Sequence, residues 1–135
     1  MANPRVLVID DDEIVRELMC ELLRKEGCEV FETGTPIGVT KLIAQHRIDM
    51  IVLDVMMPDI SGDKLAKLLR SNPKLQRLTI VLVSSSNRED LTELASGVAA
   101  DSVVSKSEIR TELPRVALAA YRRRALLIGR PRTDK

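Results

Sequence analysis

Aromatic rings are almost missing from this chain. Its 135 residues include one phenylalanine, one tyrosine and no tryptophan, which argues against a surface that binds nucleic acid by stacking bases. Cysteine is scarce as well. Cys20 and Cys28 cannot form a disulfide framework; Cys20 falls in a helical pattern that points to the core, Cys28 follows a helix end, and a reducing cytoplasm is the expected compartment. No apolar run is long enough to cross a bilayer, and Met1-Ala2-Asn3-Pro4 has no secretory character. Neither sign of charge dominates: 21 basic residues stand against 20 acidic ones, so no global field points to nucleic acid or membrane. Internal repeats and interdomain linkers are absent too, and the length suits one domain with a single sizeable core.

The charge is nonetheless unevenly distributed. Residues 1–32 hold nine acids and four bases, whereas 110–135 hold eight bases and two acids. A strand-like run over 6–9 ends in Asp10-Asp11-Asp12, and a second over 49–53 ends in Asp54. Between them the period becomes helical. Ile14, Leu18 and Leu22, with Val15, Met19 and Leu23, predict one apolar stripe, Arg16 among the water-facing residues, and Gly27 a stop. A short strand is expected over 29–32, followed by a helix capped at Thr35, with Pro36 in its first turn, running to about Gln45. Further on, the pattern predicts a helix over 63–70 with Leu65, Leu68 and Leu69 on one side. It then predicts a strand over 79–84, a short helix over 89–96, a strand over 102–105, and a last helix over 112–127 with Thr111 as cap. Residues 129–135 read as a flexible basic tail.

Five β-α repeats with short connections imply a parallel sheet with helices on both faces, and such sheets bind ligands beyond the strand carboxyl ends. Every polar residue that stands out lies at such an end: Asp10, Asp11 and Asp54, then Ser84 after the fourth strand and Lys106 after the fifth. Clustered carboxylates cannot all stay ionised without a cation among them, and an all-oxygen ligand set suits a hard ion, Mg²⁺ first. A metal held by carboxylates, with one hydroxyl and one ammonium, makes a site for a small, highly charged anion, phosphoryl above all. Asp12 reads as the cap of the first helix. His46, the single histidine, closes a helix just before a strand and reads as structural. Arg122-Arg123-Arg124 reads as the solvated end of the last helix.

These marks, with Met57-Pro58 and Gly62 following Asp54, resemble the receiver domain of two-component response regulators over about residues 4–124. The resemblance implies a flavodoxin-like, doubly wound five-stranded parallel sheet, (βα)5, of strand order 2-1-3-4-5, with the domain over 1–128. It implies that Asp54 is the phosphoacceptor, served by a sensor histidine kinase or a histidine phosphotransfer protein. Asp11, Asp54 and the main-chain carbonyl of Met56 would bind Mg²⁺, Asp10 would reach it through water, and Ser84 and Lys106 would hold the phosphoryl oxygens. With no room for an output domain, a stand-alone receiver acting through an unidentified target protein is expected, with no membrane contact and nucleic acid not anticipated. It would not be an enzyme beyond self-catalysed phosphorylation and dephosphorylation.

The pattern departs from the family at three places. Val103 stands where an aromatic residue is usual, Ser107 follows Lys106 where proline often makes a cis bond, and Ala99 replaces a glycine. A cis bond before serine costs about 2.5–4 kcal/mol, so trans is expected, with Ser107 capping a short turn. Two alternatives remain open: a receiver-like interaction module that is never phosphorylated, and a haloacid dehalogenase-type phosphatase with Asp10 as nucleophile.

Overall fold

A computed structural model describes residues 3–85 and 100–128. Five strands, β1 (Arg5–Ile9), β2 (Glu29–Thr33), β3 (Met50–Asp54), β4 (Thr79–Ser84) and β5 (Ser102–Ser105), form one sheet in the order β2-β1-β3-β4-β5. All four pairings are parallel. The helices among the described residues are α1 (Glu13–Lys25), α2 (Val39–His46), α3 (Gly62–Arg70) and α4 (Ile109–Ile128). The fold is the flavodoxin-like one expected. The helix expected over 89–96, the Ala99 departure and the 129–135 tail lie outside the described residues. No described helix is long and apolar enough to cross a membrane.

The side-chain period of two in β1, β3 and β4 builds two cores. Val6, Val8, Met50, Val52, Val81 and Val83 face α1 and α4, whereas Leu7, Ile9, Ile51, Leu53, Ile80 and Leu82 face α2 and α3. Both faces are covered, so these strands read as unbroken apolar runs. Ala117 and Ala120, fully buried, provide small side chains where α4 lies in the first core.

Several local expectations need correction. Ile14 and Leu68 are 80 % and 61 % exposed, so each leaves its predicted apolar stripe. α2 begins at Val39 rather than Pro36, because Gly38 takes a left-handed conformation (φ 80°) and breaks the helical path. Thr35 still accepts the Ile37 N–H at 3.2 Å, but it closes a turn, not a helix. The last helix starts at Ile109, after a 3₁₀ turn over Lys106–Glu108, so Thr111 is inside it and Pro114 lies within the helix. Ser105, not Ser107, caps that 3₁₀ turn, its hydroxyl accepting the Ser107 N–H. The Lys106–Ser107 bond is trans, as expected.

α1 ends as Gly27 predicts: Gly27, with φ 89°, donates to the Arg24 carbonyl while Cys28 donates to Leu23. α2 ends with a left-handed residue too, but there it is Arg47 (φ 53°), the one non-glycine with positive φ among the described residues. A side chain in that conformation costs roughly 1–2 kcal/mol.

Candidate acidic site at the carboxyl edge of the sheet

The strand order reverses direction between β1 and β3, and the acids collect at that point. Asp10 follows β1, Asp54 ends β3, and the two strands are hydrogen-bonded neighbours. One carboxylate oxygen from each of Asp10, Asp11 and Asp54 lies within 4.8 Å of the other two. Asp10 and Asp54 are buried, whereas Asp11 is exposed at the mouth.

Each buried acid is held differently. Asp54 Oδ1 accepts the Met56 N–H at 3.1 Å and faces Lys106 Nζ at 3.2 Å. Asp10 Oδ1 accepts the Asp12 N–H at 2.9 Å, but its Oδ2 is buried with no hydrogen-bond partner among the described residues. Burial is the main reason the Asp10 carboxyl is pushed up to about 6, with the neighbouring Asp54 charge adding to it. The Asp12 N–H and Lys106 oppose that shift. Among the described residues, three carboxylates stand against one ammonium, and Asp10 Oδ2 is a buried acceptor without a hydrogen-bond donor. An all-oxygen set with an orphaned buried acceptor fits a hard divalent cation.

The remaining predicted residues fall around this pair. Ser84, the buried last residue of β4, stands one residue beyond Val83, the register partner of Asp54, and is paired with Ser105 of β5. Met56 leaves its side chain 67 % exposed while its N–H serves Asp54. Gly62 donates to the Val55 carbonyl at 2.8 Å, and a Cβ there would collide with the Asp54 carbonyl oxygen. Only glycine lets the start of α3 pack this closely on the acid's own backbone. Asp12 caps α1, accepting the N–H groups of Ile14 and Val15 at 3.0 and 3.2 Å, as expected.

Arg16 was missed. Expected to face water, it donates Nη1–H to the Asp10 carbonyl at 2.9 Å and Nε–H to Glu32 at 2.9 Å, bracing the loop below the acids. Its place in the sequence, on the charged side of a helical period, holds no signal of this. His46 stacks on Phe31 with ring centroids 4.3 Å apart, near the other end of the sheet, in keeping with a structural role. Val103 is half-buried beside the second core, in register with Leu82.

Fold and site together define a doubly wound α/β domain whose acidic, cation-suited pocket lies at its topological switch point. Known proteins sharpen that class. A family model described as the response regulator receiver domain matches residues 6–117. The two-component response regulator ORR8 of Oryza sativa subsp. indica is 30% identical over 118 residues, covering 86% of this chain and 97% of its own. Among solved structures, the receiver domain of the Francisella response regulator 1452 superposes with a TM-score of 0.77 at 26% identity, covering 90% of this chain and 98% of that one. A sensor protein from Polaromonas sp. JS666 superposes with a TM-score of 0.82 at 25% identity, over 90% and 98% of the two chains. The chain belongs to the response regulator receiver domain family. Membership displaces the haloacid dehalogenase alternative.

Proposed function

We propose that Asp54 accepts a phosphoryl group from the histidine of a sensor kinase or phosphotransfer protein, and that the phosphorylated chain acts through a target protein. An Asp54 carboxylate oxygen attacks phosphorus in line. The bond from phosphorus to the donor nitrogen breaks, the electron pair leaves with the imidazole, and an acyl phosphate remains. Lys106 is placed to neutralise charge gathering on the phosphoryl oxygens, and the Ser84 hydroxyl to donate a hydrogen bond to one of them. Asp10, Asp11, Asp54 and the Met56 carbonyl would hold Mg²⁺, which when bound offsets the repulsion between an anionic nucleophile and an anionic donor.

The observation that carries this reading is the buried Asp54 carboxylate, with the Lys106 ammonium at 3.2 Å and two further carboxylates beside it. A carboxylate held only for stability would not be packed against two more acids. We further place the receiver domain at 1–128 with a basic tail over 129–135, and the chain in the cytoplasm, where its phosphodonors have their catalytic domains.

Intact-mass measurement after incubation with acetyl phosphate and Mg²⁺ tests the proposal. One phosphoryl group should be gained, lost on acid or base treatment as an acyl phosphate, and absent in Asp54→Asn. Uptake that survives in Asp54→Asn but disappears in Asp10→Asn would overturn it. No uptake by a folded parent chain would instead leave the family's fold serving as an unphosphorylated interaction module.

A further inference from the structure

The loop that carries Asp10 and Asp11 is fastened by a residue outside the acid cluster. Arg16, on α1, binds it twice. Its backbone N–H donates to the Asp12 carbonyl at 2.9 Å, as the start of a helix requires, and its guanidinium donates Nη1–H to the Asp10 carbonyl at 2.9 Å. Both carbonyls that flank Asp11 thus go to one residue. We propose that Arg16 is a positioning residue for the cation, fixing the backbone from which Asp10 and Asp11 reach it while touching neither metal nor phosphoryl group. The proposal rests on the Mg²⁺ site proposed for the acids.

The aim of the guanidinium is the first reason. Val30 packs in the core that faces α1, and Glu32, two residues on in β2, shares that face by the strand period. Its carboxylate accepts Arg16 Nε–H at 2.9 Å, with Arg24 Nη2 at 3.9 Å from its other oxygen. The Arg16 fork is therefore held at two points, and a planar fork held this way loses less entropy for each bond. Gly34 is the second reason. A Cβ there would lie 2.9 Å from Arg16 Nη1 and 3.8 Å from the Asp10 carbonyl oxygen. Gly34 is not among the glycines with positive φ, so what it supplies is room for the guanidinium to reach its acceptor.

The sign of the charge is the third. Lys106 already stands 3.2 Å from Asp54. A second cation near the acids opposes Mg²⁺ by its own field. As a charge, Arg16 weakens metal binding; as a brace, it strengthens it. The brace should win, because partners that orient a metal's ligands are worth about 10–100-fold in affinity, whereas solvent screens a half-buried guanidinium.

Mg²⁺ titration of the full chain, followed by amide NMR shifts of residues 10–12 and 54–56, tests this. The parent should saturate. Arg16→Gln removes fork and charge together and should bind Mg²⁺ about tenfold or more weakly. Gly34→Ala keeps every charge but displaces the guanidinium, and should weaken binding in the same direction. In both variants, phosphorylation of Asp54 by acetyl phosphate should need more Mg²⁺ for its half-maximal rate. The rate at saturating Mg²⁺ should stay within about twofold of the parent's, which a merely destabilised fold would not produce. Affinity unchanged or tighter in folded Arg16→Gln, or unchanged in Gly34→Ala, would overturn the proposal alone. A folded parent that binds no Mg²⁺ would overturn the reading of the acids and this proposal with it.

Discussion

Asp10 shows at the residue scale what the site demands of a side chain. It is fully buried, only one of its oxygens is bonded, and its carboxyl is raised from 3.8 to about 6. Between those values the native protein holds the proton more tightly than the unfolded chain. The stabilisation from neutral Asp10 is therefore complete below pH 3.8 and is lost as pH rises through about 6. Asparagine is neutral throughout. In metal-free buffer Asp10→Asn should be the more stable protein above pH 6, by on the order of 2–3 kcal/mol. That advantage should shrink toward pH 4, as read by urea unfolding across that range. Saturating Mg²⁺ should narrow the gap at neutral pH, because the parent's carboxylates then have a counter-charge. A gap independent of both pH and Mg²⁺ would contradict this account. Asp10 and Asp54 were legible in the sequence because each directly follows an apolar run. Arg16 was not, because its partners, the Asp10 carbonyl and Glu32, are brought to it by the β1–β2 pairing and the return of α1.

Among the elements, the joint between α3, α4 and the start of β4 depends on Asp101. Its carboxylate accepts the Ile80 N–H at 2.8 Å and Arg70 Nη2–H at 2.9 Å, with Arg124 Nη1 at 3.7 Å. Its backbone carbonyl accepts from Arg123 at 3.0 Å. Arg70 also donates to the Leu78 carbonyl and Arg124 to the Gln76 carbonyl, so helices from opposite faces of the sheet are tied at one edge. Arg124, half-buried, is thus a structural ligand rather than part of a solvated basic end, while Arg122 and Arg123 remain exposed, Arg123 with its hydrogen bonds to the Asp101 carbonyl and the Ser102 hydroxyl. Burial holds the Arg70 pKa below its ordinary value, although Asp101 opposes that shift. Breaking a buried pair leaves an uncompensated charge, so Asp101→Ala should lose about 3–5 kcal/mol of unfolding free energy. Denaturant melts followed by circular dichroism check this, and a loss under about 1 kcal/mol would show the cluster to be solvated. Among the described residues, element types and most strand limits are readable from period alone. The starts of α2 and α4 were not, because Gly38 and the 3₁₀ turn at Lys106 alter the backbone path without changing hydrophobic period.

For the whole molecule, part of the exposed apolar surface lies beside the acids. Ile14, Ile37 and Met56, 80, 73 and 67 % exposed, lie on the loops or first helical turn after β1, β2 and β3, around the acids. They are three of the six large apolar side chains exposed among the described residues. A macromolecular donor reaching Asp54 would cover this rim, whereas acetyl phosphate would not. Ile14→Ser with Met56→Ser should therefore slow transfer from a histidine phosphotransfer protein about tenfold or more, an apolar contact of 1–3 kcal/mol. Phosphorylation by acetyl phosphate should stay within about twofold. Equal slowing with both donors would place the two side chains in the chemistry instead. Val103, half-buried beside the second core, leaves no aromatic side chain at that position, so a phosphorylation signal of the kind proposed would pass by another route.

The sequence by itself determined the alternation of strands and helices, the two apolar faces of the sheet and the identity of the acids, hydroxyl and ammonium at its edge. Those properties are local: period, turn chemistry and the residue following a strand can be read without knowing what lies alongside. Tertiary structure alone decided that Asp10 loses its solvent while Asp11 keeps it, and that three arginines converge on Asp101. It also decided that Gly62 packs on the backbone of Asp54, and that Arg16 reaches the Asp10 carbonyl. Each depends on which strands become neighbours, and so on contacts between residues far apart in the chain, where burial and charge pairing are set by the surroundings rather than by residue type.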